Sequence, residues 1–173
     1  MAINFTWEEW AAHISNHKIL AVDDEDIKLG HVMGIAWANG FGCDFARSAS
    51  EAWGKLLSGK TKYELMVTDN SMPKQNVGAD GYDYSSADGL DLLEAKARES
   101  GNEGLQLIRR IRQNPALRGL EIVIYTGSDV RQQAEALGAQ YIQRELYVLN
   151  EILRERSELY KAAAQNPTKI QKE

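Results

Sequence analysis

Short continuous apolar runs alternate along the chain with longer amphipathic segments. The first run, Lys18-Ile19-Leu20-Ala21-Val22, ends abruptly in Asp23-Asp24-Glu25-Asp26. A run of this kind, bounded by polar residues, predicts a strand buried on both faces. A helical segment follows from about 27 to 38 and closes at Asn39-Gly40. Residues 43–47 predict a second strand, and 50–57 a helix closed by Ser58-Gly59. Glu64 to Thr68 is another buried-strand run, ending in Asp69. Glu121 to Tyr125 is a fourth, ending in Thr126-Gly127. Residues 129–137 form a short helix, Tyr141-Ile142 the heart of a last strand, and 146–163 a final helix. Leu149, Ile152, Leu153 and Leu159 are expected on one face of that helix. Strands alternating with helices predict an α/β domain with a parallel sheet. Five strands and five helices make it a three-layer, doubly wound, five-stranded sheet. Ahead of this pattern, Thr6 and Glu9 have capping-box spacing, and Trp7, Trp10 and Ile14 follow at helical spacing. They predict a leading helix over 1–17 that packs on the body of the chain.

Composition narrows the class. The 173 residues suit one domain with a surplus, since such a domain often needs only about 100–130. Cys43 is the only cysteine, which excludes a disulfide scaffold. No stretch approaches the roughly 18 apolar residues of a membrane span. The start, MAINFTWEEW, lacks the basic and apolar regions of a secretory signal, so a cytoplasmic setting is expected. A net charge of −5 argues against direct nucleic-acid binding.

The candidate chemistry sits at the strand ends. In parallel α/β sheets, ligands bind outside the carboxyl ends of the strands. Those positions hold Asp23 and Asp24, then Asp69, then Thr126, then Arg144. Converging carboxylates repel unless a hard divalent cation with oxygen ligands holds them, and Mg²⁺ suits few carboxylates plus waters. A hydroxyl and a guanidinium prefer anions. A cation holder beside anion donors suits a phosphoryl group bridging the two.

The segments ILAVDDE, LMVTDNSMP, IVIYTG and YIQR, in that order, resemble the receiver domain of two-component response regulators. The likeness covers about residues 18–73 and 104–153. It implies the flavodoxin-like receiver fold and a phosphoacceptor at Asp69, which would attack the phosphohistidine of a sensor kinase or phosphotransfer protein. It also implies Mg²⁺ on Asp24, Asp69 and the backbone carbonyl of Ser71, with Asp23 acting through water. Thr126 would bind the phosphoryl oxygens, and Tyr141 matches the family's switch aromatic. Tyr141 reads equally well as an ordinary strand residue packed under a helix.

The chain departs from the pattern in three places. Arg144-Glu145 stands where receivers carry lysine and proline. A guanidinium neutralises phosphate, but it is longer and planar. The distance from Thr126 to Arg144 is short by about one helical turn, so the fourth helix is expected to be truncated. Residues 74–103 form an insertion with seven acidic and three basic side chains. It ends at Gly104, which fits the glycine opening the third helix. The insertion is read as tolerated on the rim, against a lid or partner-specificity element that senses Asp69.

The resulting organisation is an extension over 1–17, a receiver over 18–153 and a helix end with tail over 154–173. The expected function is a response-regulator receiver that signals by conformational change to a downstream protein. It is a phosphoacceptor rather than an enzyme, and a homodimer is compatible with it. Two alternatives stand beside it: a degenerate, phosphorylation-independent interaction module, and a Mg²⁺-dependent phosphohydrolase. The hydrolase is disfavoured because Ser71, not an aspartate, lies two residues after Asp69. His13 and His17, four apart, make no metal site on their own.

Overall fold

The computed structural model describes residues 17–72 and 102–165. The leading helix expected over 1–17 and the insertion expected over 74–103 lie almost wholly outside those residues.

The elements run β1 (Lys18–Val22), α1 (Asp26–Ala38), β2 (Gly42–Ala46), α2 (Ala49–Ser58) and β3 (Tyr63–Thr68). They continue as α3 (Glu103–Gln113), β4 (Glu121–Tyr125), α4 (Arg131–Ala136), β5 (Gln140–Ile142) and α5 (Leu146–Gln165). The strands form one parallel sheet in the order β2-β1-β3-β4-β5. The chain steps outward from β1 to β2, then crosses back to β3. The winding therefore reverses between β1 and β3, where such sheets open a crevice at the carboxyl edge.

Side chains alternate across the sheet, so both faces are apolar. Leu20, Val22, Met66, Ile122 and Ile124 pack with Trp53, Leu56, Leu105, Ile108 and Ala134 beneath α2, α3 and α4. Ile19, Ala21, Leu65, Val67 and Val123 pack with Leu29, Val32, Leu149, Ile152 and Leu153 beneath α1 and α5. Each fully buried aliphatic side chain contributes about 1.5–3 kcal/mol of transfer free energy. Central strands enclosed on both faces explain the continuous apolar runs.

Local signals end the helices. The Ser48 hydroxyl accepts from the Glu51 amide at 3.1 Å, and Glu51 accepts from the Arg47 amide at 2.8 Å, which caps α2. Gly59, at φ 61°, closes the same helix in the left-handed region. The fourth helix is the expected short one, with six residues. One expectation fails on α5: Leu159 is 60% exposed, while Ser157 is buried. Two positions apart on a 3.6-residue helix, Ser157 and Leu159 face nearly opposite sides, and Ser157 takes the buried one. Among the described residues, no helix is long and apolar enough to cross a membrane.

Candidate functional site

The sheet register brings the two key carboxylates side by side. Val22 pairs with Thr68, so Asp23 and Asp69 are the next residues on adjacent strands. The Asp69 amide donates to the Val22 carbonyl at 2.9 Å, and the Asp23 amide to the Ala46 carbonyl at 3.1 Å. Both side chains are buried. Asp23 Oδ1 accepts from the Glu25 amide at 2.8 Å, which turns the chain into α1. Asp69 Oδ1 accepts from the amides of Asn70 at 2.6 Å and Ser71 at 3.5 Å.

Two cations meet the other oxygen of Asp69. Lys28 Nζ donates to Oδ2 at 3.1 Å, and Arg144 Nη2 at 3.5 Å. Lys28 also lies 2.6 Å from Glu25 Oε1 and 3.7 Å from Asp23 Oδ1. Sequence reasoning missed this lysine. Its spacing was a usable signal, because i,i+3 from Glu25 on α1 places both side chains at the same helix end.

The charges do not balance evenly. Burial pushes the Asp23 carboxyl up to about 7, helped by the charges of Asp69 and Asp24 and opposed by the Glu25 amide and Lys28. Glu25 is held below its ordinary value, chiefly by its hydrogen bond to Lys28. Burial works against the Lys28 ammonium, but its bonds to Glu25 and Asp69 outweigh that and raise its pKa. One carboxylate oxygen from each of Asp23, Asp24 and Glu25 lies within 4.8 Å of the other two. An all-oxygen, acidic donor set fits a hard divalent cation. Glu25 was not among the expected ligands, and Lys28 links Asp69 to Asp23 and Glu25.

The anion side is built on β4 and β5. Thr126 is buried, and its amide donates to the Ile142 carbonyl at 3.1 Å. Its hydroxyl accepts from the Ser128 amide at 3.3 Å, while the Tyr141 hydroxyl donates to the Ser128 carbonyl at 3.1 Å. Ser128, also missed in the sequence, therefore links the two expected switch positions. Tyr141 is buried with the Arg131 guanidinium 4.7 Å over its ring. Arg144 adopts a left-handed backbone, φ 43°. Its guanidinium crosses Gly127, where an added β-carbon would stand 3.3 Å from Cζ. Burial pushes the Cys43 thiol up to about 12, which favours its protonated form.

The ends of the described segments on either side of 73–101 are tied together beside Asp69. The Asn70 side-chain amide donates to Asn102 Oδ1 at 3.0 Å, and the Met72 amide to Glu103 Oε2 at 3.2 Å. The Gly104 amide donates to the Asn70 carbonyl at 3.0 Å.

No family model and no curated protein matches the sequence. Solved structures do resemble it. The chemotaxis response regulator CheY4 of Vibrio cholerae superposes with a TM-score of 0.58 at 18% identity, covering 82% of this chain and 98% of that one. The phosphorylated cyanobacterial phytochrome response regulator RcpA gives 0.59 at 17%, covering 86% and 96%. The Thermotoga maritima response regulator TrrA, in complex with Mg²⁺–BeF, gives 0.54 at 21%, covering 84% and 97%. The chain therefore has the five-stranded, flavodoxin-like fold of response-regulator receiver domains.

Proposed function

We propose that this chain is a receiver that takes a phosphoryl group onto Asp69 from the phosphohistidine of a sensor kinase or phosphotransfer protein. The observation that carries the reading is the buried Asp69 carboxylate at the point where the sheet winding reverses, held between the Lys28 and Arg144 cations. An Asp69 oxygen attacks phosphorus, the P–N bond breaks, and the imidazole leaves with its electron pair and takes a proton from solvent. The product is an acyl phosphate. Asp24, Asp69 and the Ser71 carbonyl would hold Mg²⁺, with Asp23 acting through water, and the bound ion would supply charge neutralisation for the transferring group. Arg144 faces the added negative charge, and the Thr126 hydroxyl hydrogen-bonds its oxygens. The Ser128 link carries that engagement to Tyr141, whose repositioning alters the surface of α4 and β5 for a downstream protein target.

The domain limits proposed with this function are an extension over 1–17, a receiver over 18–153 and a tail over 154–173, in a cytoplasmic protein. The test is intact-mass measurement after incubation with Mg²⁺ and acetyl phosphate. A phosphoryl adduct is expected, and it is absent in Asp69→Asn. A second reading, an interaction module independent of phosphorylation, draws on the lysine already seated on Asp69. No adduct with any donor would favour it. Rapid turnover of varied phosphate esters would instead mean a phosphohydrolase.

A further inference from the structure

The group that meets the most carboxylates at this site is Lys28. It enters from the first turn of α1, where side chains lean back towards the helix start. Only 14% of the side chain is exposed. Its ammonium reaches Asp69 Oδ2, Asp23 Oδ1 and Glu25 Oε1. Two of these, Asp23 and Glu25, belong to the close group of three carboxylates. The third belongs to the proposed phosphoacceptor. Lys28 and a divalent cation therefore call on the same carboxylates, and their charges repel wherever both are held there.

Arg144 competes less directly. Its one ion pair at the acidic site is to Asp69 Oδ2, made at 3.5 Å from the β5 side, and it remains 48% exposed. Lys28 also has a place to go. Glu25 is the most exposed of its partners, at 55%, and forms its shortest ion pair. A lysine stem has four rotatable bonds, so the ammonium can swing outward with Glu25 while leaving Asp23 and Asp69.

We infer that Lys28 is a tethered cation that competes with Mg²⁺ for the acidic site, so that loading the metal requires the lysine to move off Asp69 and Asp23. This rests on the reading of the acidic site as a Mg²⁺ site. Lys28 holds the metal-free carboxylates together and, by the same contacts, weakens metal binding. The site is thereby biased towards its metal-free form until free Mg²⁺ is high enough to displace the ammonium.

The test is a Mg²⁺ titration of the full chain by calorimetry, without phosphodonor, alongside melting in chelator and in Mg²⁺. Lys28→Met is expected to bind Mg²⁺ at least about tenfold more tightly than wild type. It should melt lower in chelator and gain more from Mg²⁺. Lys28→Arg keeps the charge and is expected to bind no more tightly than wild type. Lys28→Gln serves the same comparison if the methionine variant does not fold. Unchanged or weaker Mg²⁺ binding in the neutral variants overturns the inference and leaves the metal site standing. Equal tightening in Lys28→Arg also overturns it, because charge is then not the cause. If neither wild type nor any variant takes up Mg²⁺, the metal-site reading fails and the inference fails with it.

Discussion

The carbonyl oxygen of Asp69 lies 2.1 Å from where a β-carbon on Gly104 would stand, and Asn70 Cα lies 2.8 Å from it. Both obstacles are backbone, so neither can swing aside. The start of α3 can approach the end of β3 this closely only because position 104 has no side chain. Gly104→Ala is expected to cost about 2–4 kcal/mol in urea unfolding. It should also lower the yield of phosphoryl adduct, because the displaced backbone carries Asp69. An alanine variant of wild-type stability would show that the contact is not tight in solution.

Asp23 makes stability depend on pH in an unusual direction. A carboxyl raised to about 7 in the fold, against about 4 when unfolded, holds its proton longer in the folded state. Its contribution is fully present below pH 4 and is lost as pH climbs to 7, to a limit on the order of 4 kcal/mol. Asp23→Asn removes that loss. In chelator the variant should exceed wild type by about 1–3 kcal/mol at pH 8, with the gap closing towards pH 4. Urea midpoints across that range check it, and parallel curves would refute the assignment.

Arg144 separates stability from chemistry. Its φ of 43° costs a non-glycine residue about 1 kcal/mol. Its half-exposed contact with Asp69 returns little. Arg144→Gly should therefore melt at or above wild type, while adduct formation falls by roughly tenfold or more for want of the facing charge. A variant that unfolds more easily yet transfers phosphoryl normally would contradict both halves.

Arg112 is a structural clasp. Its guanidinium donates to the carbonyls of Leu137, Arg118, Leu120 and Gly138 at 2.8–2.9 Å. One side chain thus joins the end of α3 to the turns before β4 and β5. Arg112→Met keeps the apolar stem and strands these carbonyls, at about 2–4 kcal/mol. Amide exchange should quicken first around residues 118–120 and 137–139. Uniform protection loss across the sheet would argue against a local clasp.

Strands enclosed on both faces were the most legible elements. β1 and β4 span the residues their apolar runs indicate. β2 begins one residue earlier than its pattern suggests, because it is an edge strand whose GCDFA mixes Asp44 and Phe45 with small residues. The strand-end residues Asp23, Asp69, Thr126 and Arg144 were legible for the same reason, since a parallel sheet delivers every strand end to one edge. The third close carboxylate, Glu25, was hidden. Its place depends on how the Asp23 side chain caps the turn into α1.

Hydrophobic periodicity therefore reaches as far as the order of elements and the edge on which the acids and cations gather. It follows from burial alone, which each residue's type expresses independently of its neighbours in space. The pairings at the site obey a different rule. Lys28 meets Asp69 across 41 positions of chain, and Arg144 meets it across 75. Those contacts depend on the rotation of α1, the left-handed turn after β5 and the bare backbone at Gly104 and Gly127. Coulomb and hydrogen-bond energies vary over ångströms, so which cation faces which carboxylate was settled only when the sheet and its helices packed.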